Sequence, residues 1–321
     1  MLRILHVNFH MDCGGIETLL LNLHRCIDRN KLQFDYFLYG RDASYPHYYR
    51  KDIEALGGKM FYSECFKHHK YWQDYKMFGK FLDEHPEYKI VHVHTYYPTM
   101  YLWAAKKRGR ITISHSHAIH LGVHTFRENL KKICVFPHRY IADYLFACSE
   151  LAGIDKYGKK ANAKFLRNGI LTKKYTFSQD IRKAIRQSRG ITSENTLVLG
   201  HVGSLSRVKN HKFLLQVFKG VHDKVPDSKL WLVGAGVLEG EIRSQVHELG
   251  LDEAVDFVGL TDKVNEHLMG MDVFVFPSLW EGLGIALIEA EASGLPCVVS
   301  EAIQNDAIIS DRVSRLRLGP P

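Results

Sequence analysis

The 321-residue chain carries 43 Lys and Arg against 35 Asp and Glu, and this net charge of +8 suits an anionic small molecule or an anionic membrane surface. It contains no helix-turn-helix, zinc-finger or RNP signature, so nucleic acid is not an expected partner. Its six cysteines form no Cys-x-x-Cys pair, and no signal peptide or long apolar span is recognisable, so we expect a cytoplasmic protein.

In the first half, short apolar runs alternate with longer amphipathic stretches, which is typical of βαβ units around a parallel sheet. Strands are predicted over 3–8, 33–38, 90–94, 111–115 and 144–148, with a helix over 17–27. The polar stretch 171–195 then predicts a linker that carries one charged helix.

A second series follows the linker. Its predicted strands are 197–202, 229–233, 255–258, 273–276 and 297–300, and its predicted helices are 212–219, 238–249 and 285–293. Two such series indicate an α/β protein with two Rossmann-like domains, residues 1–170 and 196–321, facing a cleft. Ligands of these sheets bind beyond the carboxyl ends of the strands.

The most informative segment, 272–296, has the pattern of a buried strand, a sharp loop, a helix and a Gly-x-Pro stop. Gly282 and Gly284, on either side of Leu283, allow the backbone to approach a ligand, and free amides at the helix start suit a diphosphate. Glu289, further along the helix, could accept hydrogen bonds from two ribose hydroxyls, and Glu281 could meet sugar hydroxyls. The plain alternative is a helix start that two glutamates merely decorate.

This segment resembles the two-glutamate signature of family-4 glycosyltransferases, in which seven residues separate the two acids, as they separate Glu281 from Glu289. The resemblance implies the GT-B fold and a nucleotide diphosphate sugar donor. It assigns Glu289 to the ribose and Glu281 to the donor sugar. It also implies retention of anomeric configuration without a metal ion or other cofactor.

Two further loops match the same family. Gly14 and Gly15 follow the first predicted strand and resemble the family's Gly-Gly-x-Glu loop, which implies that Gly15 faces the donor. Lys209 matches the family's phosphate-binding lysine and could pair with the departing diphosphate. Ser204 stands where the family has Arg, and Arg207 either replaces that Arg or is solvated.

Two strands end in paired histidines, at 92 and 94 and at 115 and 117, and alternation places both members of each pair on one strand face. A zinc site is conceivable, but no Cys or helical His-Glu-x-x-His accompanies them, so no metal site is predicted. Hydrogen-bonded histidines are the plain alternative. The resemblance implies a catalytic histidine near the reacting sugar, for which His117 is the choice and His115 the second candidate.

Gly234 and Gly236 imitate a dinucleotide fingerprint with the wrong spacing, and the resemblance places this loop beside the nucleotide base. Segments 67–81 and 127–139 mix bases with aromatics, as surfaces that touch anionic lipid do. A helix with its aromatics in the core is the plain alternative. The chain ends before the last helix that the resemblance implies, so a truncated carboxyl terminus is expected.

These observations predict a hexosyltransferase that uses a nucleotide sugar, by family frequency a UDP-sugar. The acceptor implied is a glycan or lipid-linked glycan of cell-surface polysaccharide synthesis, such as exopolysaccharide or capsule, with weak contact at the inner membrane face. One alternative is a non-catalytic or truncated protein that only binds nucleotide sugars. The other is an NAD-dependent oxidoreductase that uses the Gly234 loop.

Overall fold

The computed structural model of the chain describes residues 1–12, 14–40, 43–63, 71–94, 99–117, 119 and 135–319, and the elements are numbered here over those residues. The chain divides into two compact units, Met1–Gly169 and Ile170–Pro321.

The first unit contains a seven-stranded parallel sheet in the order β3-β2-β1-β4-β5-β6-β7. Its strands are β1 (Leu2–Asn8), β2 (Leu32–Leu38), β3 (Met60–Tyr62), β4 (Tyr88–Val93), β5 (Ile111–Ser116), β6 (Tyr144–Ala147) and β7 (Lys164–Phe165). Its helices are α1 (Gly15–Cys26), α2 (Arg50–Ala55), α3 (Tyr71–Glu84), α4 (Thr99–Lys107), α5 (His138–Ile141) and α6 (Glu150–Tyr157). The central strands are buried on both faces, because helices cover both.

The second unit contains a six-stranded sheet in the order β10-β9-β8-β11-β12-β13. Its strands are β8 (Leu197–Val202), β9 (Ser228–Val233), β10 (Val255–Gly259), β11 (Val273–Phe276), β12 (Cys297–Ser300) and β13 (Val313–Leu316). Its helices are α7 (Gln179–Ser188), α8 (His211–His222), α9 (Glu239–Glu248), α10 (Val264–Gly270) and α11 (Ile285–Ala292). One apolar cluster under β8 and β9 unites Leu199, Leu214, Phe218 and Leu230.

All predicted strands and helices are present, and their ends lie within two residues of the predicted ends except for α8, which runs three residues further. Strands β3, β7 and β13 were not predicted. They are edge strands, and a strand of two to four residues is too short to show hydrophobic alternation.

Residues 171–195, predicted as a linker, are part of the second unit. They form a 3-10 turn (Thr172–Tyr175) and helix α7, and the Arg182 guanidinium contacts the Asp272 carboxylate at 2.5 Å. Within the described residues, no helix has the length and apolar character needed to cross a membrane.

Candidate active site

In the second unit, strands β8 and β11 each lead into a loop that carries one predicted catalytic residue. Lys209 ends the 3-10 turn Arg207–Lys209 after β8, and Glu281 lies in the loop after β11. The two strands are parallel neighbours, so both loops leave the same edge of the sheet. This edge is where ligands of open α/β sheets bind.

Two hydrogen bonds join these loops. The amide of Leu279 donates to the carbonyl of Val208 at 2.8 Å, and the side-chain amide of Asn210 donates to the carbonyl of Pro277 at 3.3 Å. Asn210 adopts a left-handed conformation with φ of 55°, which Asn tolerates better than most residues. The loop conformations therefore depend on each other.

Lys209 and Glu281 form an ion pair. The Lys209 Nζ donates to Oε1 of Glu281 at 2.6 Å, and only 15% and 13% of the two side chains are exposed. The ammonium also lies 4.6 Å from the centre of the Phe276 ring. Gly203 leaves room for the lysine stem, because a β-carbon there would lie 2.8 Å from Cε of Lys209. Lys209 and Glu281 therefore lie side by side at this edge of the sheet.

The bend after Glu281 leaves a helix start open. Gly284 has φ of 77°, a conformation that strains other residues, and it immediately precedes α11. It has no side chain to cap the first amides of α11, and the first turn contains no acid. Leu283 buries its side chain, so it offers a ligand only its main chain. The arrangement suits an anion.

Gln304 stabilises the bend after Glu281, and it was not identified from the sequence. Its side-chain nitrogen donates to the carbonyls of Glu281 and Gly282 at 2.8 and 2.6 Å. The residue follows strand β12, and nothing in its sequence surroundings marks it as part of a site.

Glu289 lies in the second turn of α11 and is buried. Its Oε1 accepts a hydrogen bond of 2.6 Å from the hydroxyl of Tyr175, which is also buried. Burial raises the pKa of Glu289 to about 7, and the Tyr175 hydroxyl opposes that rise. Tyr175 lies in the predicted linker, where no motif pointed to it.

Arg207 and Ser204, the two positions considered for the family's arginine, do not join the ion pair. Arg207 is exposed, and no ion pair connects it to another residue in the described part of the chain. The Ser204 hydroxyl lies 3.0 Å from that of Ser206.

The Gly234 loop has a packing explanation. A β-carbon at Gly234 would lie 2.1 Å from the carbonyl oxygen of Gly203, and one at Gly236 would lie 2.4 Å from that of Leu205. Both glycines therefore let this loop lie directly on the loop after β8. Close backbone packing accounts for the spacing that imitates a dinucleotide fingerprint.

In the first unit, Gly15 opens helix α1, and the carboxylate of Glu17 folds back over Gly14. A β-carbon at position 14 would lie 2.1 Å from Oε2 of Glu17. Asn8 donates to Oε1 of Glu17 at 3.0 Å. Glycine therefore suits position 14 because the Glu17 carboxylate fills the space where a β-carbon would lie. The sequence alone did not reveal this reason.

His117, the predicted catalytic histidine, follows β5 and is partly buried. Its Nε2 lies 2.9 Å from Nδ1 of His94. His115 is fully buried within the same group of imidazoles. The predicted segments 67–81 and 127–139 lie in part outside the described residues, at 67–70 and 127–134.

Comparison with known proteins identifies the class. Residues 13–153 match the model described as Glycosyltransferase Family 4, and residues 196–320 match that of Glycosyl transferases group 1. Crystal structures of HepE from Anabaena, with UDP and glucose or with UDP-glucose, have a TM-score of 0.78 at 22% and 21% identity. They cover 94% of this chain, which covers 82% and 81% of theirs, so the two parallel-sheet units form the GT-B fold.

A protein described as glycosyltransferase EpsF, from Bacillus subtilis (strain 168), is 33% identical over 99% of this chain and 84% of its own length. The chain therefore belongs to the family-4 glycosyltransferases and is a hexosyltransferase. A UDP-Gal:alpha-D-GlcNAc-diphosphoundecaprenol alpha-1,3-galactosyltransferase of Escherichia coli is 32% identical over 36% of this chain and 31% of its own. Family membership replaces the oxidoreductase alternative.

Proposed function

We propose that the chain transfers a sugar, with retention of configuration, from a UDP-sugar to a glycan or lipid-linked glycan in cell-surface polysaccharide synthesis. The observation that carries this proposal is the Lys209–Glu281 ion pair beside the open start of α11. A diphosphate on those amides would meet the lysine, and the attached sugar would meet the glutamate.

The proposed transfer follows from these charges. The bond from the anomeric carbon to the diphosphate oxygen breaks, and a bond from that carbon to an acceptor oxygen forms on the same face. The hydroxyl proton is released, and the departing nucleotide gains a negative charge. Lys209 and the first amides of α11 offset that charge, as preorganised donors do in a water-poor site. Three points stay predictions: the contact of Gly15 with the donor, the catalytic role of His117, and the cleft that the two domains face.

We also propose that the reaction needs no metal ion or other cofactor, because Lys209 and the helix start supply the positive charge that a cation would supply. The expected result is a transfer rate that stays the same when Mg²⁺ or Mn²⁺ is added or omitted. A rate that depends on either ion contradicts this part.

The donor class is tested by thermal unfolding of the whole chain with UDP-, GDP- and ADP-sugars and with NAD. A ligand at 100 times its Kd stabilises the folded state by about 2.7 kcal/mol, enough to raise Tm by several degrees. We expect a rise with UDP-sugars. A rise with NAD and with no nucleotide sugar overturns the proposal.

Turnover separates the enzyme from a protein that only binds nucleotide sugars. Incubation with a stabilising donor should release UDP by transfer or slow hydrolysis, and NMR of the product should show the donor's anomeric configuration. Binding without any release of UDP supports the non-catalytic alternative, and an inverted product contradicts retention.

The proposed acceptor and membrane contact rest on two observations: the name of one relative and an exposed aromatic surface on helix α3. The Escherichia coli relative is named for a diphosphoundecaprenol acceptor. In this chain, Trp72 on α3 is 65% exposed and its ring lies 5.8 Å from that of Trp103 on α4. Lys76 and Lys80 are exposed at i+4 and i+8 from Trp72, on the same helix face.

Other aromatics of α3, such as Phe78, are in the core, so the plain alternative holds for that part of the helix. We propose that the Trp72 face makes weak contact with the inner membrane face. Flotation with anionic liposomes at low salt should retain the chain and lose it in Trp72→Ala. No retention of the unaltered chain removes membrane contact from the proposal.

A further inference from the structure

Five histidines of the first unit lie together at one end of its sheet. They come from three adjacent strands or the residues that follow them: His6 from β1, His92 and His94 from β4, and His115 and His117 from β5. Nδ1 of His6 lies 2.8 Å from Nε2 of His94, and Nδ1 of His94 lies 2.9 Å from Nε2 of His117. We call this group the histidine cluster.

Hydrogen bonds within the described residues leave much of the histidine cluster unsatisfied. Buried ring nitrogens with no partner are Nε2 of His6, Nε2 of His92, both nitrogens of His115 and Nδ1 of His117. No choice of tautomer satisfies His115, because a neutral imidazole always carries one donor and one acceptor. An unsatisfied buried polar group destabilises the fold, so a ligand that engages these atoms would be stabilising.

The imidazoles are in the form that binds metals. Burial lowers the pKa of His92 to about 3, and it lowers the pKa of His94 and His115 well below the ordinary value. Metal ions bind neutral imidazole, so these rings need lose no proton when an ion enters.

We propose that the histidine cluster binds one zinc-type divalent cation, with His94 as a common ligand of two overlapping sets. His6, His92 and His94 form one set and His94, His115 and His117 the other, and the ligand atoms within each set lie within 4.8 Å of one another. Both sets offer imidazole nitrogen alone, which suits Zn²⁺, Co²⁺, Ni²⁺ or Cu²⁺ rather than Mg²⁺ or Ca²⁺. The histidine cluster belongs to the first unit, and the proposed diphosphate site belongs to the second.

Lys156 is the buried cation that neighbours this site. Its Nζ donates to the carbonyl of His115 at 3.2 Å, and burial lowers the pKa of its ammonium to about 7.

The test uses the unaltered whole chain and the metals alone. After equilibration with Zn²⁺ and removal of loosely bound ion, elemental analysis should find about one zinc per chain. Co²⁺ should give the intense visible bands of tetrahedral nitrogen coordination. Weak bands typical of octahedral Co²⁺ would overturn the proposal. So would retention of the metal by exposed histidines alone. Either result holds regardless of how the variants behave.

Three variants locate the ion. His94→Asn disrupts both sets and should weaken Co²⁺ binding by more than about 100-fold, since even outer-shell partners are worth roughly 10–100-fold. His92→Asn and His115→Asn each disrupt one set, and the one that loses the bands identifies the set in use. His201→Asn, a buried histidine of the second unit, is the control and should keep them. Full affinity in a folded His94→Asn chain overturns the proposal.

Discussion

In each unit a helix begins directly after a glycine, but the two helix starts differ in the position of the nearest glutamate. In the first unit Gly14 precedes α1, and the carboxylate of Glu17, the third residue of that helix, folds back over the glycine. In the second unit Gly284 precedes α11, whose first turn contains no acid, and Glu289 is the fifth residue. The start of α1 is therefore occupied by the protein itself, and that of α11 is open.

The difference teaches that a glycine loop before a helix does not by itself define an anion site. An acid at the third helical position can fold back over the glycine, and its carboxylate then fills the space that a ligand would need. An acid at the fifth position lies beyond them and leaves them free for a diphosphate. The position of the glutamate therefore favours the start of α11 over the start of α1 as the site of the diphosphate.

The largest expected effect is on Lys209. Lys209→Met removes the charge that offsets the departing diphosphate and should lower kcat by roughly 10²–10³-fold, as loss of one preorganised donor does. Lys212→Met, an exposed lysine at the start of α8, is the matched control and should keep full activity. Equal activity in both variants would remove Lys209 from the proposed site.

Next in size is the comparison of two buried glutamates of α11. Glu289→Gln should weaken UDP binding roughly 10–100-fold, because hydrogen bonds to a charged group are worth about 1.5–3 kcal/mol. Glu291→Gln should leave affinity unchanged, since Oε2 of Glu291 accepts from the amide of Ile309 instead. Calorimetric titration measures both, and undiminished affinity in Glu289→Gln contradicts the ribose assignment.

A smaller effect concerns the pH dependence of donor binding. In the proposed complex, ionised Glu289 accepts from both ribose hydroxyls, so affinity should rise with pH through about 7, to which burial raises its pKa. Tyr175→Phe removes a donor to that carboxylate and should raise the midpoint by up to about one pH unit, the equivalent of roughly 1 kcal/mol.

The probe for this pH series is a UDP-sugar, whose diphosphate has no proton to lose in this range. Tyr175→Phe should keep the high-pH affinity, which separates a shifted pKa from a damaged site. A midpoint that stays in place would show that the Tyr175 hydroxyl does not act on Glu289.

The smallest effect on binding is expected at Gly14. Gly14→Ala forces its methyl group against the buried Glu17 carboxylate and should lower the free energy of unfolding by about 1–3 kcal/mol, the usual cost of overpacking. UDP affinity should not change. A large loss of affinity with little loss of stability would mean that the start of α1 contacts the donor.

The sequence predicts the sheets well and the site in part. Buried apolar strands such as β8 and β11 are recognisable from their composition, and the spacing of Glu281 and Glu289 identifies the family. The contacts that arise only from folding were not predictable. Tyr175 reaches Glu289 across 114 positions, and Gln304 reaches the Glu281 carbonyl from another loop.

The histidine cluster also separates what the sequence predicts from what only the fold reveals. Alternation predicts that the members of each pair share a strand face. Only the strand order β1-β4-β5 brings His6 to His94, 88 positions away. Likewise, the sequence alone does not tell which way Glu17 folds, so it does not reveal that the Glu17 carboxylate fills the space beside Gly14.

Amide hydrogen exchange of the whole chain, with and without UDP, tests the contrast between the two helix starts most directly. The account predicts that UDP slows exchange at 285–287 and leaves 15–18 unchanged, because the Glu17 carboxylate fills the space in front of α1, whereas the first turn of α11 contains no acid. Protection at 15–18 with none at 285–287 would contradict it.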